Sequence, residues 1–357
     1  GGAGASEVKT LGESGISIKQ KQWPGKFALD SSQFNDQVVG GKSKNLELLR
    51  GRTPNWIQLP ASVALPFGTF NATLNDPINT QVKTKLESQI VSLKQFDDSK
   101  DGDGFRALID DIKSTISLLK PPKTLQSELK SCFNKESLAW PGDLETSEEG
   151  QEAWKTICAV WASKYNERAV LSCKKAGLNH DDLNMAVLCQ PVVNAKYAFV
   201  LHTVHPQTND QTEIYGELVC GMGEALVGNF SGRALSFTVK KSDLDRPIVN
   251  GFPSKSKGLF MQQNTLIFRS DSNGEDLEGF AGAGLYDSIC MNEASLTSID
   301  YANEPISNNE DFRNQMLSAI AKSGMALENL LDSAQDIEGA ITEDGKLFVV
   351  QTRPQVF

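Results

Sequence analysis

The chain has 357 residues, 39% hydrophobic and 22% charged, with a net charge of −10. Such a composition is ordinary for a globular protein and long enough for two lobes, while the acidic balance excludes non-specific nucleic-acid binding, which needs a basic surface. No apolar run approaches a membrane span, and six cysteines without a CxxC pair (132, 158, 173, 189, 220 and 290) read as buried thiols of a reducing compartment.

The opening "GGAGASEVKT" carries no Met, no charged n-region and no apolar h-region, the start expected of a processed chain or an excised fragment. Residues 1–25 read as a tail or linker. "VVGGKSKNLELLRG", from Val38, predicts a short strand, a glycine turn and a helix that Gly51 ends. "WIQLPASVALPFGTF", from Trp56, predicts a second strand closed by a Pro-Phe-Gly turn. Residues 78–170 are mostly helical, with apolar residues three and four apart in "LKSCFNKESL" and "AWKTICAVWASKYNERAV".

From about residue 184 the pattern changes to strand-like runs between turn residues. They are "MAVLCQPVV", "YAFVLHTV", "TEIYGELVC", "ALSFTVKK", "NTLIFRSD" and "KLFVVQT". A helix near 311–331 precedes a final hairpin. A helix-rich front and a sheet-rich back make the class α+β, a mixed α/β protein of two lobes.

Two nucleotide motifs fail on inspection. "GGKS" lacks a P-loop's first glycine, since Asp36 stands there, and "GMGEALVG" has Leu226 where GxGxxG needs its third. Lys42, at the head of a strand–turn–helix, can still meet a phosphate at the helix N-terminus; a solvent lysine is the plainer alternative. "FRSDSNGEDLEGFAGAGLYDS", residues 268–288, joins an arginine, two serines, Glu275-Asp276 and dense glycines. Its backbone can approach phosphate oxygens as a flap, or it is a surface loop. The three histidines, His180, His202 and His205, read as structural; His202 and His205 face opposite ways on a strand and make a poor metal pair.

The last stretch, "AQDIEGAITEDGKLFVVQTRPQV", reads as a hairpin turning on Asp344-Gly345. A two-residue loop places Glu338 opposite Gln351 and Asp336 opposite Arg353, on one face. Ile337, Ile341, Phe348 and Val350 then point into a core, and Ala340, Leu347 and Val349 share the polar face. Two carboxylates beside an amide oxygen suit Mg²⁺, and the arginine suits a phosphate. The patch is a metal–nucleotide site or a solvated polar face.

Six blocks in order carry a resemblance: "VGGKSKNLELLRG", "PASVALPFGTF", "VWASKYNERAV", "GELVCGMGEALVG", "RSDSNGEDLEGFAGAGLYDS" and "AQDIEGAI…VVQTRPQV". From about residue 27 to the end, the chain resembles the C-terminal nucleotide-binding domain of the α-glucan, water dikinases. It more distantly resembles the ATP-binding domains of phosphoenolpyruvate synthase and pyruvate, phosphate dikinase. The resemblance implies an ATP-grasp-like fold over residues 26–357, with ATP held between two lobes: one of about 26–180 plus a returning 258–290, the other of about 181–257 plus 291–357. It implies Lys42, Arg269 and Arg353 as the catalytic, phosphate-gripping residues, with Ser272, Gly282 and Gly284 in a flap. Gln190 and the backbone at Val192 would face adenine, and Glu217 the ribose. Glu338 and Gln351, helped by Asp336, would hold Mg²⁺.

The resemblance also implies the reaction: ATP's β-phosphate to a carrier histidine on a separate swivelling domain, its γ-phosphate to water, then phosphorylation of a starch glucosyl unit. That carrier domain and the starch-binding modules match nothing here, and none of the three histidines has the carrier's setting. The compartment implied is the plastid stroma, or the cytosol where starch is kept there. In pyruvate-type relatives the Arg-Ser-glycine block precedes the "VWASKYNERA" segment, whereas here it follows, which favours the glucan subfamily. A rival of another class, a glucan-binding module, needs an exposed aromatic platform, and Trp56, Trp154 and Trp161 sit in apolar contexts that read as core.

Overall fold

The structure, a computed structural model, describes residues 9–11, 16–227, 231–275 and 277–357, without the side chains of 9–11, 225 and 227. Gly228 and Asp276, singled out in the sequence motifs, lie outside the described residues, as do 1–8 and 12–15 of the expected tail. The chain forms two compact units, and both helix and strand are abundant.

The first unit comprises Gly1–Lys44, Ala61–Pro191 and Leu266–Met291. Its five-stranded antiparallel sheet runs in the order Ser288–Cys290, Leu266–Ser272, Met185–Pro191, Val63–Leu65, Leu29–Asp30. Helices lie against one face of that sheet. In Gly102–Ile116 the buried residues Phe105, Ile109, Ile112 and Ile116 recur at helical spacing, and Asp101 caps the start by accepting from the Gly104 N–H. Glu148–Ala162 starts on Ser147, whose hydroxyl takes the Gly150 N–H, and buries Trp154, Ile157, Cys158 and Trp161. These residues join Val187, Cys189 and Phe268 of the sheet in one apolar core. The opposite face packs Leu188 with Leu29, Phe34, Val39 and Ala64.

The second unit comprises Asn45–Pro60, Val192–Thr265 and Asn292–Phe357. Its sheet has seven strands, in the order Ile248–Gly251, Leu235–Lys240, Glu213–Cys220, Ala195–His202, Gln335–Thr342, Leu347–Pro354, Ile57–Gln58. Only the last pairing is parallel. Glu310–Leu331, the expected helix near 311–331, buries Leu317, Ile320, Ala321 and Leu327 against Phe199, Leu201, Ile214, Phe237, Ile337 and Val349. That covers one face of the sheet; the other carries polar side chains beside a small apolar cluster of Ala198 and Val219. Gly339 is required in the sheet, because a Cβ there would stand 2.1 Å from the Phe199 ring.

Several expectations change. Val38 and Val39 lie in a turn, not a strand, and the following helix, Gly41–Glu47, stops before Gly51, which takes a left-handed φ of 75° in the turn beyond. The segment from Trp56 to Phe70 is two short strands in different sheets. Met185–Pro191 belongs to the first unit because it pairs along its whole length with Leu266–Ser272. Residues 45–60 belong to the second because Ile57–Gln58 pairs with Leu347 and Phe348. Residues 17–19 form a strand, not a linker, with Ile18 only 1% exposed in the first unit's core. Trp154 and Trp161 are buried as expected, but Trp56 is 42% exposed.

Among the described residues no helix is long and apolar enough to cross a membrane. All six cysteines are free, five of them buried.

Candidate functional site

The final hairpin pairs Asp336 with Arg353 and Glu338 with Gln351. Its loop, however, has three residues, closed by the Gly345 N–H to the Thr342 carbonyl (3.0 Å) and with Gly345 at φ 83°. The register shift that this loop introduces is undone by a bulge between Glu338 and Gly339, where Val350 has no opposite number. Two one-residue differences therefore cancel for the polar pairs but not for the apolar residues. Leu347 and Val349 enter the core, while Phe348, opposite Ala340, takes the acid face.

Directly paired residues form rows across this sheet. Tyr215, His202, Asp336 and Arg353 make one row; Glu217, Val200, Glu338 and Gln351 make the next. In the first row the Arg353 Nε–H donates to Asp336 Oδ2 at 3.0 Å, and His202 Nε2 lies 3.6 Å from Asp336 Oδ1. Glu217 accepts from the Tyr215 hydroxyl at 2.9 Å. Glu338, half-buried, has no hydrogen-bond or ion-pair partner among the described residues. Hard oxygen donors beside a guanidinium fit a magnesium ion with phosphates. No group of three or more His, Cys, Asp or Glu able to hold a metal by itself exists among the described residues, so such an ion would need the amide of Gln351 and oxygens from its ligand. His202 and Tyr215 are the members of this face that the sequence does not reveal, because the pairing of Ala195–His202 with Gln335–Thr342 spans more than a hundred residues.

In the first unit, Lys42 is not a solvent lysine. Its ammonium donates to the Ser270 carbonyl (2.7 Å) and hydroxyl (3.2 Å) and forms an ion pair with Glu275 at 3.2 Å. The helix N-terminus beside it is occupied. Asp271, wholly buried, accepts from the N–H groups of Gly40 (2.9 Å) and Lys42 (3.0 Å) and from the Ser43 hydroxyl (2.6 Å). A carboxylate from the chain thus fills the place where the sequence suggests a phosphate. Gly40 is needed for this fit, since a Cβ there would stand 2.3 Å from Asp271 Oδ1. Burial raises the pKa of Asp271, and it pushes Glu275 up to about 7 although Lys42 pulls it down.

Arg269, 9% exposed, donates to Gln190 Oε1 at 3.4 Å, and Gln190 in turn donates to the Ser62 hydroxyl at 3.0 Å. The Gln190 amide is therefore a support for Arg269 and is 2% exposed, not an open edge for a base. The Val192 N–H is bonded to the Thr265 carbonyl, and Ser272, 3% exposed, accepts from the Gly274 N–H. In the glycine loop a Cβ on Gly282 would lie 1.9 Å from the Gly274 carbonyl oxygen, so this glycine permits the loop to fold on itself. Gly284 has open space and φ 78°, while Phe280 and Leu285 on either side are buried in the core.

The His180 Nε2–H donates to the Lys164 carbonyl at 2.7 Å, and burial depresses its pKa to about 3. His205 accepts two backbone N–H groups on Nδ1.

Residues 140–357 match the family model described as pyruvate phosphate dikinase, AMP/ATP-binding domain. Over 341 residues, 96% of its length, the chain is 48% identical to alpha-glucan water dikinase 1, chloroplastic, of Arabidopsis thaliana, and covers 24% of that protein. It is 47% identical over a like span to alpha-glucan water dikinase, chloroplastic, of Solanum tuberosum, covering 22% of it. To the phosphoenolpyruvate synthase of Pyrococcus furiosus it is 26% identical over 74% of the chain and 32% of that protein. The chain spans about a quarter of the length of the plant relatives it matches.

Proposed function

The chain belongs to the pyruvate phosphate dikinase, AMP/ATP-binding domain family, and from that membership we propose that it is the Mg·ATP-binding, ATP-grasp-like part of an α-glucan, water dikinase. On this reading ATP gives its β-phosphate to a carrier histidine on a separate swivelling domain and its γ-phosphate to water. The phosphohistidine then phosphorylates a glucosyl unit of starch. The higher identity to the glucan enzymes than to the synthase favours this assignment. The names of the plant relatives, both chloroplastic, support a plastid as the compartment, and the stroma is our reading within it.

The observation that carries the reading is Glu338, a half-buried carboxylate with no protein partner among the described residues, set opposite Gln351 and beside the Asp336–Arg353 pair. Glu338 and Gln351 would hold Mg²⁺, with Asp336 assisting while it orients Arg353. Bound there, the ion would neutralise charge on the phosphates. Arg353, Lys42 and Arg269 would grip phosphate oxygens, with Gln190 holding Arg269 in place. Gly282 and Gly284 would let the glycine loop close over phosphates, and Ser272 would anchor the loop's start. Glu217 would meet the ribose, and the carbonyl side of the backbone near Val192 would meet adenine. These roles are assigned on the chemistry of each unit taken by itself.

The test is calorimetric titration of the chain with ATP, with and without Mg²⁺. Binding that strengthens with Mg²⁺ is expected, and an affinity indifferent to the ion would overturn the assignment of the hairpin.

A further inference from the structure

Apart from the residues above, the first unit carries a surface groove of about 440 Å³ lined by Trp23, Phe27, Gly68, Asn71, Asn75 and Asn184 among others, a size found among small-molecule sites. Trp23 is 38% exposed, yet it is held on three sides. Its Nε1–H donates to the Lys26 carbonyl at 2.9 Å, and its ring meets Phe27 edge-on with centroids 5.1 Å apart. Its Cβ lies 2.4 Å from where a side chain on Gly68 would begin, so it packs directly on that glycine. Beside it, Asn71 and Asn75 stand one helical turn apart on Thr69–Leu74 and its cap, both exposed. Neither side-chain amide has a partner among the described residues.

We propose that this groove binds the glucosyl units of an α-glucan chain. A pyranose ring presents an apolar C–H face and a rim of hydroxyls. The electron-rich face of an indole attracts the C–H groups. A carboxamide both donates and accepts, as a hydroxyl does, and so matches the rim. Among the described residues, the only charged side chains of the lining are Lys21 and Asp76, which balance, so their charges give no net preference for a phosphate. An immobilised platform has little conformational freedom left to lose on binding. Trp56 is as exposed but makes no ring stacking or hydrogen bond through its side chain among the described residues, and it serves as the control. The choice of an α-glucan rests on the function proposed above, whereas the stacking and amide chemistry stands without it.

The test is ¹H–¹⁵N NMR of the labelled chain, titrated separately with maltohexaose and with ATP. The Trp23 indole N–H and the Asn71 and Asn75 amide signals should shift together with maltohexaose and share one Kd. Trp23→Ala should weaken binding about tenfold, the exposed pair Asn71→Ala with Asn75→Ala severalfold, and Trp56→Ala not at all. Should Trp23→Ala fail to fold, the asparagine pair decides. Silence of these signals with maltohexaose, shifts with ATP alone, or a loss confined to Trp56→Ala would each overturn the site. Maltohexaose binding here without any ATP binding keeps this site and overturns the function above; ATP binding without maltohexaose binding does the reverse.

Discussion

Glu275 makes stability depend on pH in a way a single substitution can isolate. Its carboxylate is 8% exposed, accepts the Ser270 hydroxyl at 2.7 Å and faces the Lys42 ammonium at 3.2 Å. Burial outweighs both, and the pKa rises from an ordinary 4.5 to about 7. Between those values the folded chain keeps a proton that the unfolded chain has released. The unfolded state then binds fewer protons, so stability falls as pH rises through this window and levels off above about 7. At about 1.4 kcal/mol per pH unit, the loss attributable to this group is roughly 3 kcal/mol. Glu275→Gln keeps the shape and cannot ionise. Urea unfolding of both proteins at pH 5, 6, 7 and 8 gives two profiles in which titrating groups remote from Glu275 cancel; Asp271 and Lys42, which interact with it, do not. The wild type should lose roughly 2.5 kcal/mol more than the variant over this range, part of the full loss having occurred below pH 5. Parallel profiles would refute the burial argument.

Glu338→Ala should leave the fold intact, since the side chain has no partner among the described residues to lose, and should abolish the Mg²⁺-dependent part of ATP affinity; calorimetry with and without the ion checks this. On adding Mg·ATP, amide exchange should slow at residues 281–284, while Phe280 and Leu285, already buried, change little; protection confined to other segments would count against a closing loop. With ATP labelled at the β-phosphate and soluble glucan, the chain alone should transfer no label to polysaccharide. Of its histidines, His180 is held neutral in the core and His205 takes backbone N–H groups, so robust labelling would contradict the need for a separate carrier.

The secondary structure was readable where the apolar pattern was strong. Met185–Pro191 is apolar but for Gln190 and buried along almost its whole length, and the helix Glu310–Leu331 repeats its buried residues at helical spacing. The short strands Ile248–Gly251, Lys257–Phe260, Ser288–Cys290 and Ser295–Ser298 were not, because they bury few side chains and owe their form to partners elsewhere in the chain. The hairpin shows a subtler limit. The pattern of its polar residues predicts the correct opposing pairs, yet the loop length is wrong and a bulge repairs it. Only the apolar residues between loop and bulge, Leu347 to Val349, reveal the difference by exchanging faces.

The first unit shows why a donor's chemistry can be read from sequence while its availability cannot. Gly40, Lys42 and Ser43 do make an anion-binding helix start, as their residue types suggest. The anion they bind is Asp271, 229 residues away from Lys42, and it satisfies the N–H groups that a phosphate would need. What remains for a nucleotide is the Lys42 side chain, and that too is engaged, with Ser270 and Glu275. A phosphate reaching Lys42 must therefore compete with a carboxylate whose own charge is marginal near neutral pH. Protonating Glu275 removes the competitor's charge and leaves Lys42 held by the Ser270 carbonyl and hydroxyl alone. The Asp271 cap, by contrast, stays with the helix and keeps Lys42 on a fixed backbone. The group that limits the lysine's availability and the group that positions it are thus separate carboxylates four residues apart on one segment.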